Sequence, residues 1–366
     1  PLCPIARELQ ERAWKVSIVV HEEAKPHVDA GLDVVSAGTL PWTWQEELEF
    51  RDMLWASSSA PPPNATNEEL RLASEKRADA SERYFFGSQR SLSRGLEAAL
   101  DAGAAVDLIV ADVSSPGAAD VAEKRGVPFV VLSSWPVGPT LQAIADETAF
   151  RYPWLPSELF VFTQSADQQS LYDRVLRTMA TTATPWFLEW AGFHAPRRKL
   201  REELGLPPAG LELMEPPRLK GGQRPLVLIT THWALDRSRP LPPHIMLVGP
   251  TENYSTRAAA RPPLPVDVLA WMERVGSFVY VSFGTNVRPK PQQVEAMVEG
   301  MRRAEDLYFL WDYRDEMVGV MDKAMLPENI LAAPRVDQLA VLASGRVSAF
   351  VSHCGLNSLH EAMHFG

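Results

Sequence analysis

Residues 350–366 read F-V-S-H-C-G-L-N-S-L-H-E-A-M-H-F-G. An apolar strand ends at Ser352, His353-Cys354-Gly355 make a tight loop, and Asn357-Ser358 open a helix. The amino end of a helix presents unpaired N–H groups and partial positive charge, which suits an anion and above all a phosphate. Asn357 and Ser358 add side-chain donors there. His353, just before the turn, can donate to a phosphate oxygen. Glu361 lies three residues past Ser358, on a neighbouring face. A carboxylate at that place repels phosphate but accepts hydrogen bonds from a ribose diol. Together these groups suit the diphosphate and ribose of a nucleotide sugar.

Two other patterns carry chemistry. His360-Glu361-Ala362-Met363-His364 reads H-E-x-x-H. Two histidines four apart on a helix can hold Zn²⁺ with the Glu as base, as in zinc peptidases. The strand, Gly turn and Asn-Ser that lead into this helix fit diphosphate binding and nothing in a peptidase. His360 and His364 are therefore expected as surface or domain-interface histidines, with no metal site. Asp112 closes the apolar run Val106 to Ala111. It falls at the carboxyl end of a parallel strand, where open α/β sheets place ligands; the bland alternative is a turn Asp capping the next helix.

Residues 335–366 resemble the nucleotide-sugar signature of the UDP-glycosyltransferases, the GT-B enzymes of glycosyltransferase family 1. That pattern is W-x-P-Q followed by H-C/G-G-x-N-S/G-x-x-E. Gln338, His353, Gly355, Asn357, Ser358 and Glu361 match it without a gap, while Arg335 stands at the Trp and Asp337 at the Pro. The resemblance implies that His353, Asn357 and Ser358 meet the diphosphate, Glu361 the ribose and Gln338 the nucleoside, with Gly355 also in the UDP-sugar site. The family's Trp stacks on uracil, and a planar guanidinium can do so too. Gly284-Thr285 matches the family's F-G-S/T turn beside the phosphates, where glycine permits close backbone approach. Asp107 to Asp112 matches a D-x-I/V-x-A/T-D segment whose Asp orients the catalytic His; Asp112 is the better candidate and Asp107 a distant second. Pro1-Leu2 resembles the end of the family's G-H-x-x-P-L turn, so that base His is expected three residues upstream of Pro1. The family continues past the present Phe365-Gly366 with V-P and a sugar-contacting D/E-Q pair. The sequence as given is thus expected to be truncated at both ends and inactive by itself.

These residues need strands that end together and helices that start there. Leu2 to Leu9 has helical spacing, and Lys15 to Val20 reads as a strand. Residues 40–75, with Trp42, Trp44, Trp55 and Pro61-Pro62-Pro63, read as an irregular insertion near the acceptor; Glu68 to Leu100 reads as one or two helices. Val106 to Val110, helix 116–125 and strand 128–132 form a βαβ unit. Arg197 to Pro208 reads as a helix with a solvated charged face. Strands are expected at 226–231, 278–283, 307–311 and 330–331, with helices at 292–304 and 338–342. The fold class is α/β: GT-B, two Rossmann-like doubly wound domains facing across a cleft. Residues 1–249 are the acceptor domain, 250–270 a Pro- and Ala-rich linker, and 271–366 the UDP-sugar domain.

A chain of 366 residues suits two domains, and 46% hydrophobic with 22% charged residues suits a globular protein. The net charge of −10 argues against nucleic acid as a partner. Two cysteines, Cys3 and Cys354, give no disulfide framework. No apolar run has the ~20 residues of a membrane span. Asn64-Ala65-Thr66 and Asn253-Tyr254-Ser255 are sequons expected by chance. Localisation, cytoplasmic or endomembrane, is open. The family implies an inverting transfer of a hexose or glucuronate from a UDP-sugar to a hydroxyl of a small lipophilic acceptor: a sterol, lipid or secondary metabolite. It requires no cofactor and no metal. A non-catalytic nucleotide-sugar-binding relative is the alternative, and the zinc peptidase a remote one.

Overall fold

The computed structural model describes residues 2–43, 45–47, 49, 66–103, 105–144, 170–176, 178–179, 183, 195–208, 215–236, 239–284, 287, 289–313 and 326–366. The chain divides into two compact units, Pro1–Thr251 and Glu252–Gly366. Thr285, Trp44, Trp55, Pro61-Pro62-Pro63 and the sequon Asn64 lie outside the described residues.

In the first unit, helix α1 (Leu2–Glu11) buries Ala6 against Ile18 and Leu32. Strands β1 (Ser17–Val20) and β2 (Asp33–Ser36) pair in parallel, Ser17 opposite Asp33. Helix α2 (Asn67–Ala80) runs through a wider turn of i→i+5 bonding at Ser81–Phe86 into α3 (Gly87–Asp101). Strand β3 (Ile109–Asp112) leads to α4 (Pro116–Arg125). Proline in the first turn fits its fixed φ and missing N–H, and Gly126 at φ 66° stops the helix. There follow β4 (Phe129–Ser133), α5 (Val137–Ala143), α6 (Ala195–Glu203), β5 (Leu226–Ile229) and β6 (Ile245–Leu247). The four strands from β3 to β6 form one parallel sheet in sequence order. Its core gathers Ile109, Val121, Phe129, Val131, Leu141, Leu200 and Ile229.

The charged face expected to be solvated on α6 is not. Arg197 is 1% exposed and Arg201 4%, and both reach Asp120 of α4, which is fully buried. Arg197 Nη2 lies 3.0 Å from Asp120 Oδ1. The reason is register: positions 197, 200, 201 and 204 share one helical face, and Leu200 and Leu204 bring the two arginines with them into the core.

In the second unit, helices α7 (Tyr254–Ala259) and α8 (Val266–Val275) precede β7 (Phe278–Ser282). Helix α9 (Pro291–Arg303), strands β8 (Phe309–Asp312) and β9 (Ile330–Ala333), helix α10 (Gln338–Ala343), β10 (Val347–Ser352) and α11 (Leu356–Phe365) complete it. Most of the stretch expected as a linker belongs to this unit. Tyr254, Leu264 and Val268 are buried, and Pro265 starts α8 rather than loosening the chain. All four strands are parallel, in the order β10-β7-β8-β9.

That order has a switch point. From β7 the chain moves one way to β8 and β9, then returns to place β10 on the other side of β7. Loops leaving β7 and β10 diverge there, and such a crevice at the carboxyl ends is where open α/β sheets bind ligands.

His21, directly after β1, makes a first prediction. Its ring is buried, and Nε2 has no hydrogen-bond partner among the described residues. Burial holds its pKa below the usual value, against the field of Glu23 and a bond to the Ser88 backbone. The unfolded chain therefore binds the proton more readily. Stability should be full above the ordinary histidine pKa of about 6.5 and fall as pH drops below it. His21→Phe should flatten that slope between about pH 6.5 and 5, read from urea midpoints; an unchanged slope would count against it.

Candidate functional site

The switch point of the second unit is lined by glycine and histidine. Gly284 follows β7 at φ 64°, and His353 follows β10. A Cβ built on Gly284 would meet His353 Cε1 at 2.6 Å, and one built on Gly355 would meet Nε2 at 2.6 Å. The imidazole is thus held between two glycines. Its Nδ1 is buried and makes no hydrogen bond among the described residues. Burial also keeps its pKa below the usual histidine value, so the ring is neutral near pH 7.

Cys354 bridges this ring and α11 with φ 58°, a conformation few residues other than glycine adopt. Its N–H donates to Ser352 Oγ at 3.2 Å, which tightens the turn. Gly355 is the N-cap, with no side chain to cover the open N–H groups. Asn357 is exposed in the first turn and Ser358 is buried.

A second cluster joins α10 to α11. Gln338 Nε2 donates to Ser358 Oγ at 3.1 Å and to Glu361 Oε2 at 2.6 Å. Burial raises the Glu361 pKa, opposed by the Gln338 bond and by Arg257. Asp337, where the family has Pro, caps α10: its Oδ1 accepts from Ala340 N at 3.0 Å, and Oδ2 pairs with Arg261 at 3.3 Å. Arg335 is exposed at φ 54°, also in the left-handed region. Asp312 Oδ1 accepts from Val336 N and its Oδ2 from Ser282 Oγ, each at 3.3 Å.

The structure therefore brings His353 together with Gly284 and Gly355, and Gln338 with Ser358 and Glu361. Arg335 and Asn357 stand at the same carboxyl edge, after β9 and in the first turn of α11. Asp112 belongs to the first unit. Both Ser114 bonds, from its N–H at 2.9 Å and from its hydroxyl, fall on Asp112 Oδ1. Its partner in the sheet is Leu132.

Of the two places expected for His360, surface or domain interface, the surface is excluded: it is 5% exposed. Positions two apart project about 200° apart on a helix, yet Ser358 and His360 are both buried. The first turns of α11 are covered on both sides, which a one-sided pattern does not foresee. His364 is exposed, with Nε2 2.7 Å from Ser255 Oγ and the ring edge-on to Tyr254. Among the described residues no three of His, Cys, Asp and Glu converge on a cation site.

Sequence reasoning missed Asp312 and Ser255. A polar residue closing an apolar strand, as Asp312 does, was the available signal for the first. Nothing in the local sequence pairs Ser255 with His364.

A parallel sheet with a glycine turn and a helix amino end at its switch point is a Rossmann-like α/β unit, with a crevice where open α/β sheets bind ligands. The profile of the family described as "UDP-glucoronosyl and UDP-glucosyl transferase" matches residues 4–366, and the chain belongs to that family. An anthocyanidin 3-O-glucosyltransferase 1 of Fragaria ananassa is 39% identical over 100 residues, 26% of this chain and 21% of that protein. A flavonol 3-O-glucosyltransferase of Actinidia chinensis var. chinensis is 27% identical over 270 residues, 72% of this chain and 55% of that one. The chain thus spans about half or less of these curated relatives. A solved glycotransferase of kitacinnamycin superposes at TM-score 0.59 and 17% identity, covering 100% of this chain and 74% of that one. Os79 from O. sativa in complex with UDP superposes at 0.58 and 18%, covering 99% and 76%. The fold is that of the GT-B glycosyltransferases. Among the described residues no helix is long and apolar enough to cross a membrane.

Proposed function

We propose that the second unit binds a UDP-sugar and that the whole protein transfers its hexosyl group, with inversion, to a hydroxyl of a small acceptor. The relatives' names point to glucose as the sugar and flavonoid-type phenols as acceptors. The observation that carries this reading is the glycine-walled histidine at the switch point, beside a helix whose N-cap is glycine.

In this reading Gly284 and Gly355 let the diphosphate approach the backbone, and the amino end of α11 with Asn357 and Ser358 takes its charge. His353 donates a proton-bearing ring nitrogen to it. A buried ring nitrogen left unpaired costs about 1–3 kcal/mol, and a diphosphate oxygen accepting from an Nδ1–H would remove that cost. Glu361, held by Gln338, accepts from the ribose diol. Arg335 stacks on uracil and Gln338 reaches the nucleoside. Thr285 is the hydroxyl of the glycine turn.

The acceptor oxygen attacks the anomeric carbon from the side opposite UDP. The bond from that carbon to the diphosphate oxygen breaks with its electron pair, and UDP leaves. A base takes the acceptor proton, and Asp112 fixes that base in one tautomer. Oδ1 is engaged by Ser114, so Oδ2 is the oxygen for the imidazole. Charge develops on the leaving diphosphate, and positioned donors at developing charge are usually the largest catalytic term. No metal enters any of these steps.

Calorimetry with UDP tests the reading. Asn357→Ala and Glu361→Ala should each weaken UDP about ten- to a hundredfold, the worth of hydrogen bonds to a charged group. No binding by the parent chain, or no loss in either variant, would sink it. A binding protein without transfer is the second reading, favoured by Arg335 at the family's Trp; sugar transfer by the whole protein would exclude it.

A pH effect follows from Glu361. Its carboxyl is held above the usual range by burial, while ribose hydroxyls favour its ionised form. UDP affinity should therefore rise as pH climbs through that elevated value and level off above it. Glu361→Gln should remove the slope. A pH-independent affinity in the parent chain would remove Glu361 from the ribose.

A further inference from the structure

The loop carrying Arg335 is fastened by a residue outside the family signature. The β8–β9 ladder ends at Asp312 opposite Ala333, and Tyr313 N donates to Ala333 O at 3.2 Å. Beyond it, Pro334 and Arg335 leave the sheet, with Arg335 at φ 54°. The left-handed region is disfavoured for any residue with a Cβ. Something must hold the turn there.

Two anchors lie directly after Arg335. Val336 sends its N–H to Asp312 Oδ1 at 3.3 Å and buries its side chain in the core that Val341 and Leu342 of α10 share. Asp337 caps α10 and pairs with Arg261. Asp312 is itself fixed by Ser282 Oγ, at the end of β7. A strand-end carboxylate thus takes the place of the missing ladder partner and ties the turn to two neighbouring strands.

We propose that Asp312 is a positioning residue for the nucleoside end of the donor site, holding Arg335 in its left-handed turn against the base. This rests on Arg335 meeting the uracil. Asp312 touches no donor atom; it acts through Arg335. The diphosphate end is built from loops after β7 and β10; Asp312 reaches it only through Ser282, whose Oγ also accepts from Gly284 N at 3.5 Å and stays in place when the carboxylate is removed. Loss of the carboxylate therefore separates base recognition from diphosphate recognition.

The test is a double-mutant cycle read by calorimetry, with UDP and inorganic pyrophosphate as ligands and thermal unfolding as the check on folding. Asp312→Ala and Arg335→Ala should each weaken UDP about tenfold, the worth of roughly one well-placed polar contact. The double variant should be no weaker than Arg335→Ala, because residues acting as one unit do not add. Asp312→Asn, whose amide oxygen still accepts from Val336 N, should keep most of the affinity. Pyrophosphate affinity should stay level throughout. If Asp312→Ala does not fold, Asp312→Glu, longer by one methylene, reads the same outcomes. Additive losses, an equal loss for pyrophosphate, or an Asp312→Ala variant that binds UDP like its parent while Arg335→Ala does not would overturn the role of Asp312 alone. No UDP binding by the parent chain, or full binding by Arg335→Ala, overturns the uracil contact first and Asp312 with it.

Discussion

Asp120→Ala should cost the first unit about 3–5 kcal/mol, the range for removing one partner of a buried ion pair. Asp120 is fully buried, and its Oδ1 takes Arg197 at 3.0 Å and Arg201 as well. Without the carboxylate, two guanidiniums stay in the protein interior. Arg201 keeps Glu123 at 2.9 Å and the Pro207 carbonyl at 2.8 Å. Arg197 loses its closest counter-charge, and burial already holds its pKa below the ordinary arginine value. Asp120→Asn preserves shape and one acceptor and should cost less. Urea denaturation followed by circular dichroism reads the effect: the midpoint moves and the slope does not. A loss under about 1 kcal/mol, the usual size for an exposed pair, would mean that water reaches the triad. The consequence extends toward function. Asp120 sits on α4, whose start follows directly from β3 and Asp112, and the triad joins Leu200 and Leu204 in holding α6 to this core.

How far the sequence foretold this structure depends on the range of the force involved. Ile109–Asp112 and Phe278–Ser282 were legible because buried parallel strands are short apolar runs bounded by turns. Pro116 and Gly126 announced both ends of α4. The sheet edge bearing His353 and Gly284 was legible because glycine and a helix start leave a local signature. The pairing of those two residues was not. Gly284 was read as room for a phosphate and Gly355 as part of a tight loop, yet the atoms nearest to each missing Cβ belong to His353, a neighbour fixed by the β10–β7 pairing. Arg197 and Arg201 were misread for the same reason. A charged run looks solvated until a partner such as Asp120, far off in sequence, is placed beside it. Their spacing with Leu200 and Leu204 held the hint, since a helix cannot bury one pair without the other. The Pro-rich stretch 250–265 was read as a connector from composition, although Pro265 begins α8 and Leu264 is core.

Gly355→Ala should lower donor binding more than any other single methyl group added to this unit. The backbone itself would tolerate alanine, since Gly355 sits at φ −58°, an ordinary value. The obstacle is the ring: the new Cβ would lie 2.6 Å from His353 Nε2 and 3.0 Å from Cε1. Real Cβ atoms do not come so close, so the imidazole must leave. It cannot retreat toward Gly284, whose own open side is filled by the same ring, 2.6 Å away at Cε1. The ring then swings out of the cradle and the donor to the diphosphate is lost. Removing one such positioned donor costs about 10²- to 10³-fold in rate, and overpacking should take about 1–3 kcal/mol of stability. His353→Ala separates the two effects. In that background Gly355→Ala should cost little further in stability or UDP affinity, because the clash has no second partner. Gly284→Ala behaves differently, since at φ 64° it adds backbone strain that removing the ring does not relieve. A Gly355→Ala penalty of the same size with and without the His353 ring would mean that the glycine serves the backbone alone, and the cradle would be no device for holding histidine.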